Sequence, residues 1–316
     1  VAIRKGIIAT LPLTIVGSFF TILLNFPIES VAAVIEPYRE VLDIPFRYTV
    51  GLLALYATYG IAQPSSRRYP FVGFKPEREI GNDLLQVDNV SVTIDGKKIL
   101  DNISFTLNKD DKVAFVANSD ITTTTLFKVI MGEITPDTGS VRWGVTTQHA
   151  YLPKDTTSEF DTDTPIVDWL RQYASKEEDD NTFLRSFLGR MLFSGDEVLK
   201  PVNVLSGGEK VRCMLSKMML SKANVLVLDD PTNHLDLESI TALNDGLMAF
   251  TGSLLFASHD HQFIQTLANR IIAVSSKGVV DRAETTYDEF LENKDACSTM
   301  PSVTVWKASL LSPAAS

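Results

Sequence analysis

Two stretches decide how this chain reads: LSGGE at residues 205–209 and VLVLDDPTNHLD at residues 225–236. Leu205-Ser206-Gly207-Gly208-Glu209 is followed by a helical stretch running to Ser221. Val225-Leu226-Val227-Leu228 is a short continuous apolar run, the mark of a strand buried on both faces, and it ends in the carboxylates Asp229 and Asp230. Pro231 and Thr232-Asn233-His234-Leu235-Asp236 follow, and a second apolar run closes with Phe256-Ala257-Ser258-His259-Asp260. A glycine-rich helix start, a strand ending in acid and a strand ending in histidine, in this order, predict one α/β unit.

Upstream the pattern alternates. Leu85, Val87, Val90, Val92 and Ile94 lead into Asp95-Gly96, a hairpin signal, and Ile103, Phe105 and Leu107 alternate beyond it. Val113-Ala114-Phe115-Val116 predicts a buried strand, and Thr124 to Met131 predicts a helix after an intervening turn. Strand, loop and helix in succession form the geometry in which a phosphate sits on free N–H groups at a helix N-terminus. Residues 155–200 are expected to form a helical subdomain, with Leu184, Phe187, Leu188 and Met191 at core spacing.

The composition is divided. The chain has 316 residues, 45% hydrophobic, with a formal net charge of −10. Its mean hydropathy is +0.08. Two cysteines, Cys213 and Cys297, exclude a disulfide scaffold, and the acidic balance argues against nucleic-acid binding by bulk charge. Residues 1–62 hold four basic and four acidic side chains, so the whole negative charge belongs to the remainder. Residues 6–28 (GIIATLPLTIVGSFFTILLNFPI) carry no charge over 23 positions, enough to span a hydrocarbon core of about 30 Å. Residues 48–62 (YTVGLLALYATYGIA) form a second, shorter apolar stretch. Arg4 and Lys5 before the first stretch, with Arg67 and Arg68 after the second, predict a membrane-type hairpin with both ends cytoplasmic. These residues resemble the start of the IIC permease of the lactose/cellobiose phosphotransferase family. No transport site carries over.

LSGGEKVR, DDPTNHLDLES and ASHDHQF resemble the second cassette of the cytosolic ABC-F proteins, over about residues 63–295. The resemblance implies an α/β fold: an ABC-type P-loop NTPase domain with a mixed sheet core, an antiparallel subsheet and a helical subdomain, here preceded by the α-helical hairpin. The expected division is residues 1–62 as permease-like hairpin, 63–83 as linker, 84–295 as cassette and 296–316 as irregular tail. The chain starts at Val1 and reads as a fragment, with the first cassette expected to be missing.

The resemblance also implies ATP and Mg²⁺ as cofactors and assigns roles. Ser206, Gly207, Gly208 and Glu209 would face the γ-phosphate of ATP held by a second cassette in trans. Thr124 and Asp229 would hold Mg²⁺, Asp230 stands at the catalytic Glu position, and His259 would contact the γ-phosphate. Lys154 stands where the family places a Gln near the metal, and Ile94 where it places an adenine-stacking aromatic.

The phosphate loop departs from the family form G-x-x-x-x-G-K-[ST]. Residues 117–124 read ANSDITTT, so both glycines and the lysine are absent. Thr123, Thr124 and Thr125 offer neutral hydroxyl donors in place of a charged one, and Asp120 places a negative charge toward the triphosphate. The expected function is therefore an ABC-F-type ATP-binding cassette, ancestrally an ATPase linked to the ribosome, with a weakened loop. The alternatives are a non-functional fusion of two gene fragments, or a membrane-tethered ABC half-transporter. The expected location is a cytoplasmic cassette tethered to the membrane through residues 6–62.

Overall fold

A computed structural model describes residues 69–275, 278–283, 285 and 287–292, together with a few positions before residue 69. The chain divides into two units, Val1–Arg68 and Tyr69–Ser316. In the first, a short 3₁₀ turn at Glu36–Tyr38 carries an exposed Arg39–Glu36 ion pair at 3.1 Å. The hairpin expected at residues 6–62 and the tail at 296–316 lie outside the described residues. Among the described residues, no helix is long and apolar enough to cross a membrane.

The second unit starts with a hairpin, β1 (Asp83–Ile94) and β2 (Lys97–Asn108), joined by Asp95 and Gly96. Both turn residues have positive φ, 51° and 75°, as a tight two-residue hairpin requires. Strand β4 (Thr138–Trp143) pairs with β1, giving an antiparallel sheet of order β2-β1-β4.

A six-stranded sheet carries the site. Its strands are β3 (Lys112–Ala117), β5 (His149–Leu152), β6 (Val225–Asp229), β7 (Ser253–Ala257), β8 (Arg270–Ser275) and β9 (Gly278–Ala283), in the order β5-β6-β7-β3-β8-β9. All neighbours pair in parallel except β8 and β9. The mixed sheet and the antiparallel subsheet expected from the sequence are thus present.

The apolar runs read from the sequence divide by parity between the two sheet faces. Leu226, Leu228, Leu254 and Phe256 pack with the helices on one side. Val225, Val227, Leu255 and Phe115 pack on the other against the antiparallel sheet and α1 (Asp120–Ile130). On the first side lie α2 (Ile166–Arg171), α3 (Asn181–Arg190) and α4 (Gly207–Leu220). Helix α5 (Leu237–Met248) follows β6, α6 (His261–Leu267) follows β7, and α7 (Tyr287–Glu292) follows β9.

Helix α1 begins four residues before the Thr124 expected from periodicity. Ser119 adopts extended backbone and its side chain accepts from the Ile121 N–H, which fixes the start. The helix therefore opens directly at the end of β3, and the strand-to-helix turn is short.

Leu226 is fully buried within this sheet. Replacing it with Ala leaves a cavity and is expected to cost about 3 kcal/mol of unfolding free energy. Urea denaturation of the full chain, followed by circular dichroism, measures that loss.

Candidate nucleotide site

Strands β3, β6 and β7 run parallel, so their C-terminal ends open on one edge of the sheet, the position at which open α/β sheets bind ligands. Asp229 ends β6, Ala117 ends β3, and Ser258 and His259 follow β7. A cleft of about 150 Å³ lies there, lined by Ala117, Ser119, Asp120, Thr123, Asp229 and His259 among others. A neighbouring cleft of about 200 Å³ is lined by Gly207, Lys210, Asn233 and His234. Lys154, Asp229 and Asp230 line both.

The Thr124 hydroxyl donates to Asp229 Oδ2 at 2.7 Å. Asp229 is 2% exposed, and burial pushes its carboxyl up to about 6, opposed by the Thr124 hydroxyl and by Lys154. Thr123 donates to the Asp120 carbonyl at 3.0 Å, and Thr125 is buried inside α1 and lines neither cleft.

Asp120 does not stand bare, as its sequence position suggested. Lys154, from the loop after β5, reaches Asp120 Oδ2 at 2.6 Å and Asp230 Oδ2 at 3.2 Å. His259 Nε2 lies 2.9 Å from the other Asp120 oxygen. Burial pushes the Asp120 carboxyl upward, but Lys154 and His259 together hold it below the ordinary carboxylate range. Burial likewise pulls Lys154 down, while Asp120 and Asp230 outweigh it and keep the ammonium charged. These groups are partly solvated, so each pair contributes under about 1 kcal/mol, and the network is easily exchanged for another partner. Asp230 adopts a positive φ of 55°, a conformation that Asp tolerates better than most residues.

At the other motif, Ser206 caps α4. Its backbone N–H donates to Glu209 Oε2 at 2.8 Å, and its hydroxyl accepts from the Glu209 N–H at 3.4 Å, a capping box. Glu209 also meets Lys200 at 3.3 Å, so its carboxylate is turned toward this chain's own helix start. The two glycines have a reason within the chain that the sequence did not reveal. A Cβ at Gly208 would lie 2.7 Å from the His234 carbonyl oxygen, and one at Gly207 2.9 Å from the His234 ring. The loop after Asp230 packs directly on the helix start, with His234 at φ 65°, and Asp236 caps α5 by accepting from the Ser239 N–H at 2.8 Å.

The donor set can be tested against the implied ligands. Thr124 and Asp229 form a pair of oxygen donors that suits Mg²⁺, which takes one or two carboxylates and completes its shell with phosphate and water. Among the described residues, no group of three or more His, Cys, Asp and Glu could hold a metal alone. The 150 Å³ cleft falls below the roughly 300 Å³ at which enclosing ligand pockets begin. The metal position fits, whereas a triphosphate on this loop would be only partly enclosed.

Comparison with known proteins defines the class. Residues 100–233 match the family model described as ABC transporter. The dimeric structure of a post-hydrolysis state of the ATP-binding cassette MJ0796, bound to ADP and Pi, shares the fold, with TM-score 0.55 and 14% identity over 65% of this chain and 100% of that one. The chain thus carries an ABC-type ATP-binding cassette, a domain that implies binding of ATP or ADP with Mg²⁺.

Its homologues include ABC-F proteins. The "Uncharacterized ABC transporter ATP-binding protein YkpA" of Bacillus subtilis is 62% identical over 234 residues, which is 74% of this chain and 43% of that protein. The "Probable ATP-binding protein YbiT" of Escherichia coli O157:H7 is 37% identical over 73% of this chain and 43% of its own length. "ABC transporter F family member 2" of Arabidopsis thaliana is 31% identical over 73% of this chain and 34% of its own length. The chain spans less than half the length of these curated relatives.

The contact of Gly208 with His234 generates a prediction. Gly208→Ala forces the 230–236 loop away from α4, and this overpacking outweighs the propensity gain of Ala in a helix, for a net loss of about 1 kcal/mol. Thermal unfolding of the full chain reads it as a lowered Tm.

Proposed function

We propose that this chain is the second cassette of an ABC-F-type ATPase and that it completes an ATP site whose phosphate loop lies on another cassette. The observation that carries the reading is an asymmetry. The Ser206 helix start is capped and held against His234, whereas the residue 117–124 loop lacks its glycines and lysine and has Asp120 tied to Lys154.

In this reading the free N–H groups at the start of α4, with the Ser206 hydroxyl, donate to a γ-phosphate presented from across a cassette dimer, where the helix dipole favours negative charge. Thr124 and Asp229 would hold Mg²⁺ at this chain's own loop, and the metal would screen phosphate charge there. Asp230 and His259 would orient water and a phosphate oxygen. Asp230 is one methylene shorter than Glu, so its reach to water is reduced. The chain's own site therefore binds and turns over ATP poorly. The resemblance to ABC-F proteins adds the ribosome as the partner of the assembled pair.

The test is steady-state ATP hydrolysis by the full chain, alone and mixed with a first cassette taken from one of its homologues. Alone, the chain is expected to show little turnover. With the added cassette, turnover rises, and Ser206→Arg in this chain abolishes the rise. Full turnover by the chain alone, or a rise that Ser206→Arg leaves intact, contradicts the proposal.

A further inference from the structure

We propose that Lys154 is the phosphate-facing cation of this cassette, supplied from the loop after β5 in place of the lysine missing from the phosphate loop, and held in reserve by Asp120. The proposal rests on the reading of the cleft as a nucleotide site and names the residue that regulates it.

Lys154 is the one lysine or arginine lining the cleft beside Asp229 and His259, among the described residues. Its ammonium lies 2.6 Å from Asp120, the first residue of α1. A positive group is therefore held at the N-terminus of the helix after β3, where a phosphate would rest. The lysine reaches this point from a segment 34 residues away in the chain. An ammonium has three donors, and the two carboxylates Asp120 and Asp230 account for two of them. The side chain is 30% exposed and flexible, so it can exchange a carboxylate oxygen for a phosphate oxygen without rearrangement of the sheet.

Asp120 competes directly with such a ligand. Its carboxylate occupies both Lys154 and His259, one on each oxygen, and so engages the two groups in the cleft able to carry positive charge. A nucleotide competes with this carboxylate for both groups, and its triphosphate is meanwhile repelled by the same charge. Asp120 acts as a built-in anion in the phosphate position, and this cassette stays empty at nucleotide concentrations that fill an ordinary loop.

The experiment titrates a fluorescent ATP analogue with Mg²⁺ into the full-length wild type, Asp120→Asn, Lys154→Met and the double variant, with a melting curve for each. Asp120→Asn is expected to bind about fivefold tighter, the change produced by releasing one partly exposed ion pair. The gain is smaller in the double variant, which keeps only the part that comes from relief of the Asp120 repulsion and release of His259. Asp120→Ser serves the same purpose if the Asn variant does not fold. If Lys154→Met binds as the wild type does, or if the double variant keeps the whole gain, Lys154 is only a structural strut and the proposal is overturned. The same holds if none of the proteins binds. Should turnover with an added first cassette persist while these affinities stay equal, the lysine assignment alone fails. Loss of both overturns the nucleotide reading as well.

Discussion

The hydrogen bond from Thr124 to Asp229, 2.7 Å long, joins segments 105 residues apart. Asp229 sits at the end of a strand whose five residues are all buried, between the two hydrophobic layers of the domain. A carboxylate placed there is costly, and burial accordingly pushes it up to about 6. The Thr124 hydroxyl compensates in part and holds the start of α1 against β6. The positions of Asp120, Asp230 and His259 follow from the same edge, because each leaves the end of a neighbouring parallel strand or opens the helix after it.

Much of this was legible as pattern. The apolar runs at 113–116 and 225–228 gave continuous strands, because a strand covered on both faces needs apolar side chains at every position. The helix after LSGGE ends at Leu220, one residue from the expected Ser221. The start of α1 was missed because its first residues, Asp120 to Thr123, have no apolar periodicity, and the signal lay instead in the Ser119 cap. The meeting of Lys154 with Asp120 was out of reach, since it is made by the adjacency of β5 and β6 and of β3 and β7 in the sheet and by no local spacing. The same holds for His234 against Gly208. LSGGE reads as a motif for another molecule's phosphate, yet its glycines are also demanded by a close approach within this chain.

The two ends of the site differ in physical character. At the Ser206 helix start, backbone donors are fixed by a capping box and by backbone contact with the 230–236 loop, so they are preorganised for an anion. At the 117–124 loop, the charges are already paired with one another, and a ligand must break those pairs to enter. In the proposed reading, such a cassette completes a neighbour's site more readily than it fills its own.

The most direct measurement is hydrogen–deuterium exchange of the full chain with an added first cassette and Mg·ATP. The account predicts slowed exchange of the amides at residues 206–209 and little change at 117–124. Protection at 117–124, with 206–209 unchanged, would contradict it.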